Sequence, residues 1–170
     1  MTFPGNVGQV PIYYKNKNTG RPVLNEPEIV FWSNYIDEKN AHQYPFDCGV
    51  SYLKFEYSDL KLRNSFFSKN RKIEASIKVK NPGYVAGKEV IQRFIIALIG
   101  SITMIIQELK DFEMVKIQLN ETETITLRIN EKTIEFFTAN LKWEAESGDF
   151  QAFIDGNSAK TLKGNFQYVK

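Results

Sequence analysis

Reactive side chains are scarce in this sequence. Its one cysteine, Cys48, rules out an internal disulfide and says little about redox compartment. Its one histidine, His42, lies six residues earlier. A Cys–His pair can activate a thiolate, but two isolated residues in an aperiodic stretch are more simply read as incidental. No spacing of His, Cys and carboxylates suits a metal ion, and no cofactor is implied. Gly5-Asn6-Val7-Gly8 and the Gly83–Gly87 stretch do not lie between a strand and a helix, so neither reads as a phosphate loop.

Charge of one sign is lacking too. The formal net charge is +2, with Lys and Arg spread along the chain, whereas nucleic-acid binders carry a dense basic face. Lys15, Lys17 and Arg21, like Arg71 and Lys72, read as solvated loop residues. No apolar run is long enough to cross a bilayer. The most apolar window, Phe94 to Ile106, is broken by Gly100, Ser101 and Thr103, so it reads as a buried strand followed by a sticky loop. Met1-Thr2-Phe3-Pro4-Gly5 lacks the pattern of a secretory signal, which leads to two expectations. The chain is cytoplasmic if expressed as it stands, or it is a piece of a longer precursor.

What is present is a β pattern. The 170 residues, 42% hydrophobic and 14% aromatic, are ample for one packed core plus an appendage. Ile73, Ala75, Ile77 and Val79 alternate with polar residues, the period of a strand with one buried face. Pro82-Gly83 ends that run, because Pro has no N–H for a ladder and Gly tolerates reversal. A second apolar run opens at Val90, and the pair predicts a hairpin-like unit.

Further strand signals recur at sandwich-like spacing. Phe55 and Tyr57 share one parity and Leu60 and Leu62 the other, so a bulge near Ser58-Asp59 is expected to return both pairs to the core. Leu109–Leu119, Thr124–Asn130, a short run at Trp143, Phe150–Ile154 and Leu162–Val169 follow. Turns are expected at Asn120-Glu121, Ser147-Gly148-Asp149 and Asp155-Gly156-Asn157. No amphipathic helix stands out. The expected fold is all-β: an immunoglobulin-like sandwich over residues 51–170, with an extended, irregular segment over 1–50.

That first segment holds five of the six prolines, Pro4, Pro11, Pro22, Pro27 and Pro45. It predicts one short strand near Val10–Tyr14. So long an irregular stretch should dock on something. Its aromatics Phe31, Trp32, Tyr35 and Tyr44, with Phe46, have the character of a sugar-stacking platform, although large rings more often supply packing area. Among carboxylates, Asp37/Glu38, Glu144/Glu146 and Asp149/Asp155 are the pairs a glycosidase mechanism could draw on. Glu144 and Glu146 alternate with Trp143 and Ala145, which reads as a charged outer face. Asn120-Glu121-Thr122 matches a glycosylation sequon at a tight turn, a common chance match.

Five ordered stretches resemble the C-terminal end of bacterial family 3 glycoside hydrolases of the periplasmic β-glucosidase type. Val7–Tyr14 with Asn18–Pro22 resembles the close of that family's middle α/β domain. Tyr44-Pro45-Phe46-Asp47-Cys48-Gly49-Val50-Ser51-Tyr52 is similar to its Tyr-Pro-Phe-Gly-x-Gly-Leu-Ser-Tyr motif. Asn81–Val90 matches Asn-x-Gly-x-x-x-Gly-x-Glu-Val, and Glu108–Glu113 matches Glu-Leu-Lys-Gly-Phe-Glu. Asn140–Trp143 with Ser147–Phe150 resembles the late Trp and Pro-Gly-Glu-Phe strands.

The resemblance implies a fibronectin type III-like sandwich from about Ser51, preceded by the tail of the middle domain and a linker. It implies catalytic domains in cis as partners, and a periplasmic or secreted parent hydrolysing β-glucosides. The nucleophile's Ser-Asp-Trp context does not occur, and Ser58-Asp59-Leu60 is only an echo of it, so no catalytic residue carries over. The expected role is a non-catalytic accessory domain; the alternative is a stand-alone carbohydrate-binding or protein-interaction module. Homo-association through Tyr13, Tyr14 and Trp32 is a further expectation.

Departures from the family pattern also carry information. Asp47 and Asp111 each stand where the family has Gly. Arg93 stands at an apolar strand position and should find a partner or an edge. Ile96, Met104 and Ile105 replace polar residues and predict a sticky patch.

Overall fold

The structure, a computed structural model, describes residues 2–17, 35–49, 51–159 and 162–170. Phe31, Trp32 and the Asn18–Pro22 stretch lie outside the described residues. The strands are β1 (Phe3–Pro4), β2 (His42–Tyr44), β3 (Glu56–Leu62), β4 (Phe66–Ser68), β5 (Lys72–Lys80) and β6 (Gly87–Ala97). They continue as β7 (Glu108–Ile117), β8 (Thr122–Asn130), β9 (Phe136–Phe137), β10 (Trp143–Glu144), β11 (Gly148–Asp155) and β12 (Lys163–Val169), with one short helix, α1 (Glu131–Ile134), after β8.

Two sheets enclose the core. One has the order β3-β5-β8 and the other β4-β12-β11-β6-β7. The alternation in β5 does what its period demands: Ile73, Ala75, Ile77 and Val79 are all buried. Directly across from three of them, Ile129, Leu127 and Ile125 of β8 point the same way. From the facing sheet Ile91, Ile95, Phe150, Ile154 and Phe166 close the core. This is an all-β sandwich.

The bulge at Ser58-Asp59 is present. The β3–β5 register slips between Ser58 and Lys61, with Asp59 at φ 53°, and Tyr57, Leu60 and Leu62 all pack on the core.

Four expectations need correction. The Asn81–Gly87 connection is no hairpin, because β5 and β6 belong to opposite sheets. The chain crosses between layers there, and the fully buried Asn81 side chain organises the crossing. Its Nδ2 donates to the carbonyls of Val85 at 2.8 Å and Ile117 at 3.2 Å, while its Oδ1 accepts from the Gly83 N–H at 3.0 Å. Alternation reports that one face is buried; it does not report which sheet buries it.

Val10–Tyr14 forms no strand; Phe3–Pro4 and His42–Tyr44 pair instead. Gly148 and Asp149 already lie inside β11, leaving only Ser147 in the bend. A single helical turn does exist at Glu131–Ile134. Asn130 Oδ1 accepts from the Thr133 N–H at 3.1 Å and the Asn130 N–H donates to Thr133 Oγ1 at 3.3 Å, a reciprocal cap too short for any periodicity to announce.

Candidate functional site

Of the described part of the first fifty residues, Tyr14, Phe46 and Asp47 reach the outer face of the five-stranded sheet. Register decides which β6 side chains point there. Ile91, Arg93, Ile95 and Ala97 face the core, so Gln92, Phe94 and Ile96 face outward. Phe94 is nonetheless fully buried, because Tyr14 packs edge-on against it at 6.0 Å and Phe46 stacks on Tyr14 at 4.3 Å. Phe46 is thus a packing residue.

Polar contacts fasten the same segment. Gln92 Nε2 donates to Asp47 Oδ2 and to the Gly156 carbonyl, the Ser158 N–H donates to the Phe46 carbonyl, and Ile106 N–H donates to that of Asn16. Lys15 Nζ reaches Glu108 Oε1 at 2.5 Å, and Lys110 reaches the other oxygen of Glu108 at 2.8 Å. Burial alone would raise the Glu108 pKa. The two ammonium groups outweigh that and hold it below the usual carboxylate range.

Asp47 sits at φ 61°, a left-handed conformation natural to the glycine of the family motif. The Asp47 side chain accepts a hydrogen bond from Gln92.

One polar cluster was invisible in the sequence. Tyr57 on β3, Glu89 on β6 and Asp155 at the end of β11 converge near Gly156, beside Asp47 of the docked segment. The Tyr57 hydroxyl donates to Glu89 Oε1 at 2.6 Å across the two sheets. Desolvation, then this carboxylate, push the Tyr57 pKa far up. Desolvation, with the charges of Asp155 and Asp47, raises the Glu89 pKa, although the Tyr57 hydrogen bond works against the rise. These side chains come from three strands and a linker, so no spacing along the chain links them. Within the cluster Tyr57 bonds Glu89, while Asp155 Oδ1 accepts from the Gly156 N–H and Asp47 Oδ2 from Gln92, so the linker is held here through Gln92.

The sequence-predicted residues fall as follows. Tyr35 is half-buried, its hydroxyl accepting from the Val10 N–H at 2.6 Å. Tyr44 is 42% exposed on β2, edge-on to Phe3 at 6.2 Å, beside an open hollow of about 360 Å³ that Pro4 and Gln43 also line. Cys48 is exposed and His42 half-buried on β2. Glu144 pairs with Lys170 at 2.9 Å, and Glu146 accepts from the Ser101 N–H. Among the described residues no group of three or more His, Cys, Asp or Glu is placed to hold a metal ion.

The sticky loop is half right. Ile96, Met104 and Ile105 are half-buried, Met104 packing on the core, while Ile99 and Ile102 stay exposed. Ile102, Met104 and Ile105 border a groove of about 300 Å³ with Phe137 and Trp143.

Residues 89–158 match the family model described as a fibronectin type III-like domain. The chain is 35% identical over 169 residues to a periplasmic β-glucosidase of Salmonella typhimurium, which covers 99% of this chain and 22% of that protein. It is 33% identical over its full length to a putative β-xylosidase of Formosa agariphila, again 21% of that protein. Among solved structures, a β-glucosidase from Listeria innocua superposes with a TM-score of 0.88 at 31% identity, over 99% of this chain and 23% of that one. The chain therefore spans about a fifth of the length of the curated relatives it matches.

Proposed function

We propose that this chain, whose residues 89–158 match a fibronectin type III-like domain, serves as a non-catalytic accessory domain bracing the catalytic domains of a family 3 glycoside hydrolase of the β-glucosidase type. The observation that carries this reading is a match along essentially the whole chain to only 22% of the relative. Nucleophile and acid/base belong to the remainder. Residues 1–50 are the tail of the middle α/β domain plus linker, and 51–170 the accessory sandwich. The whole protein hydrolyses β-glucosides and works in the periplasm or outside the cell.

The test is a chimera in which this chain replaces the matching segment of the Salmonella periplasmic β-glucosidase. The chimera folds and hydrolyses a chromogenic glucoside. A chimera that neither folds nor hydrolyses overturns the reading.

A second reading is supported by one observation, the exposed Tyr44 edge-on to Phe3 beside an open hollow. In it Phe31, Trp32, Tyr35 and Tyr44 form a platform for a glucan, since sugar faces stack on exposed rings. Saturable quenching of tryptophan fluorescence by soluble glucans, abolished in Trp32→Ala, supports it; an unchanged spectrum removes it.

A further inference from the structure

The two sheets differ in what they turn outward. On the three-stranded sheet the outward positions are Lys72, Glu74, Ser76, Lys78 and Lys80 of β5 and Thr122, Thr124, Thr126, Arg128 and Asn130 of β8. Every one is polar, as expected of a face meant for water. The outer face of the five-stranded sheet is mixed: Lys88, Gln92, Lys116 and Gln151 stand on it beside large apolar side chains. Its outward side chains include Phe94 and Phe153, cross-strand partners that are both buried although neither belongs to the core between the sheets.

The apolar part of that face continues beyond its cover. Phe112 lies opposite Gln92 and Met114 opposite Val90, so both point outward on β7. They are 64% and 61% exposed, and Val90 beside them is half-buried. Two large apolar side chains on the outermost strand of a sheet are a liability unless something covers them. Tyr14 and Phe46 already cover the neighbouring strand, so the strip of Val90, Phe112 and Met114 prolongs an interface that exists.

We infer that the outer face of β6 and β7, centred on Phe112 and Met114, is the surface on which the catalytic domains of the same enzyme dock. The inference rests on the accessory-domain reading and says which side of the sandwich faces the enzyme. Continuity decides the occupant: the segment that the family resemblance assigns to the middle domain reaches this face, and the relatives carry more than three quarters of their length outside the match. The three-stranded sheet, polar throughout its outer face, stays in solvent.

Hydroxyl-radical footprinting of the isolated chain and of the Salmonella chimera tests this, with amine labelling of Lys78 as the solvent-face control. Met114 and Phe112 oxidise readily in the isolated chain and several-fold more slowly in the chimera, while Lys78 labels equally in both. If the chimera hydrolyses the glucoside but Met114 reacts as fast as in the isolated chain, the docking face is wrong and the accessory reading stands. A chimera that does not fold removes both. Protection of Met114 in the isolated chain, with a dimer mass by light scattering, makes a second copy the occupant and overturns the inference.

Discussion

Arg93 and Asp111, both departures from the family pattern, are bonded to each other. They sit opposite one another on β6 and β7, with Arg93 Nη2 at 3.0 Å from Asp111 Oδ2. Arg93 is 2% exposed and faces the core, where Nη1 donates to the Arg128 carbonyl on the opposite sheet at 2.6 Å. Burial pushes the guanidinium pKa down, and Asp111 opposes that shift. The arginine that should be expensive at a core position thus carries its counter-ion at the edge of the sheet.

The pair is asymmetric, and a mutant cycle can read the asymmetry. Asp111→Ala strands a buried cation and costs about 1–3 kcal/mol. Arg93→Met leaves a half-exposed carboxylate that water can solvate and takes one donor from the Arg128 carbonyl, so it costs less than Asp111→Ala. The double variant should resemble Arg93→Met alone. Urea unfolding of the four proteins checks this; equal losses from both single variants would refute it.

Asn81→Ala removes three hydrogen bonds from a fully buried side chain, two of them donated to the Val85 and Ile117 carbonyls. The expected loss is about 2–3 kcal/mol. Asn81→Asp is also destabilising, because a carboxylate cannot donate to those carbonyls. Thermal melts measure both; an unchanged melting temperature for either would remove Asn81 from its role at the crossing.

The Glu89 carboxyl has a folded-state pKa above its ordinary value, through desolvation first and the nearby Asp155 and Asp47 charges after. Such a group adds stability below its unfolded pKa and loses it as pH rises through the folded one. Glu89→Gln keeps an acceptor for Tyr57 without the buried charge. The variant should therefore be more stable than the parent at neutral pH, and the gap should close as pH falls through the folded pKa toward the ordinary glutamate value. A gap that is constant or widens on acidification contradicts the assignment.

Phe46→Ala breaks the stack that seats Tyr14 on Phe94. It should release the 2–17 and 35–49 segments to protease while leaving the sandwich's cooperative unfolding in place, since local opening is separable from global unfolding. Limited proteolysis followed by mass spectrometry reports it, and cleavage no faster than in the parent denies Phe46 that role.

Much of the sandwich could be read from spacing because each strand reports its own burial. The Lys72–Lys80 strand, the bulge at Ser58-Asp59 and the reversal at Asn120 with its φ of 55° all come from local chemistry. What failed was global. The period at Ile73–Val79 could not say that β6 lies in the other sheet, and Phe3–Pro4 pairs with residues nearly forty positions away. The Tyr57–Glu89 contact escaped for the same reason, being made across the core. Asp47 and Asp111 stand out in the sequence only as departures, because their partners Gln92 and Arg93 are brought to them by the fold.

The most direct test of the central claim is hydrolysis of a chromogenic β-glucoside by the purified 170-residue chain. A bracing domain without nucleophile or acid gives a rate equal to buffer at every substrate concentration. Saturable turnover that scales with the amount of chain would contradict the account.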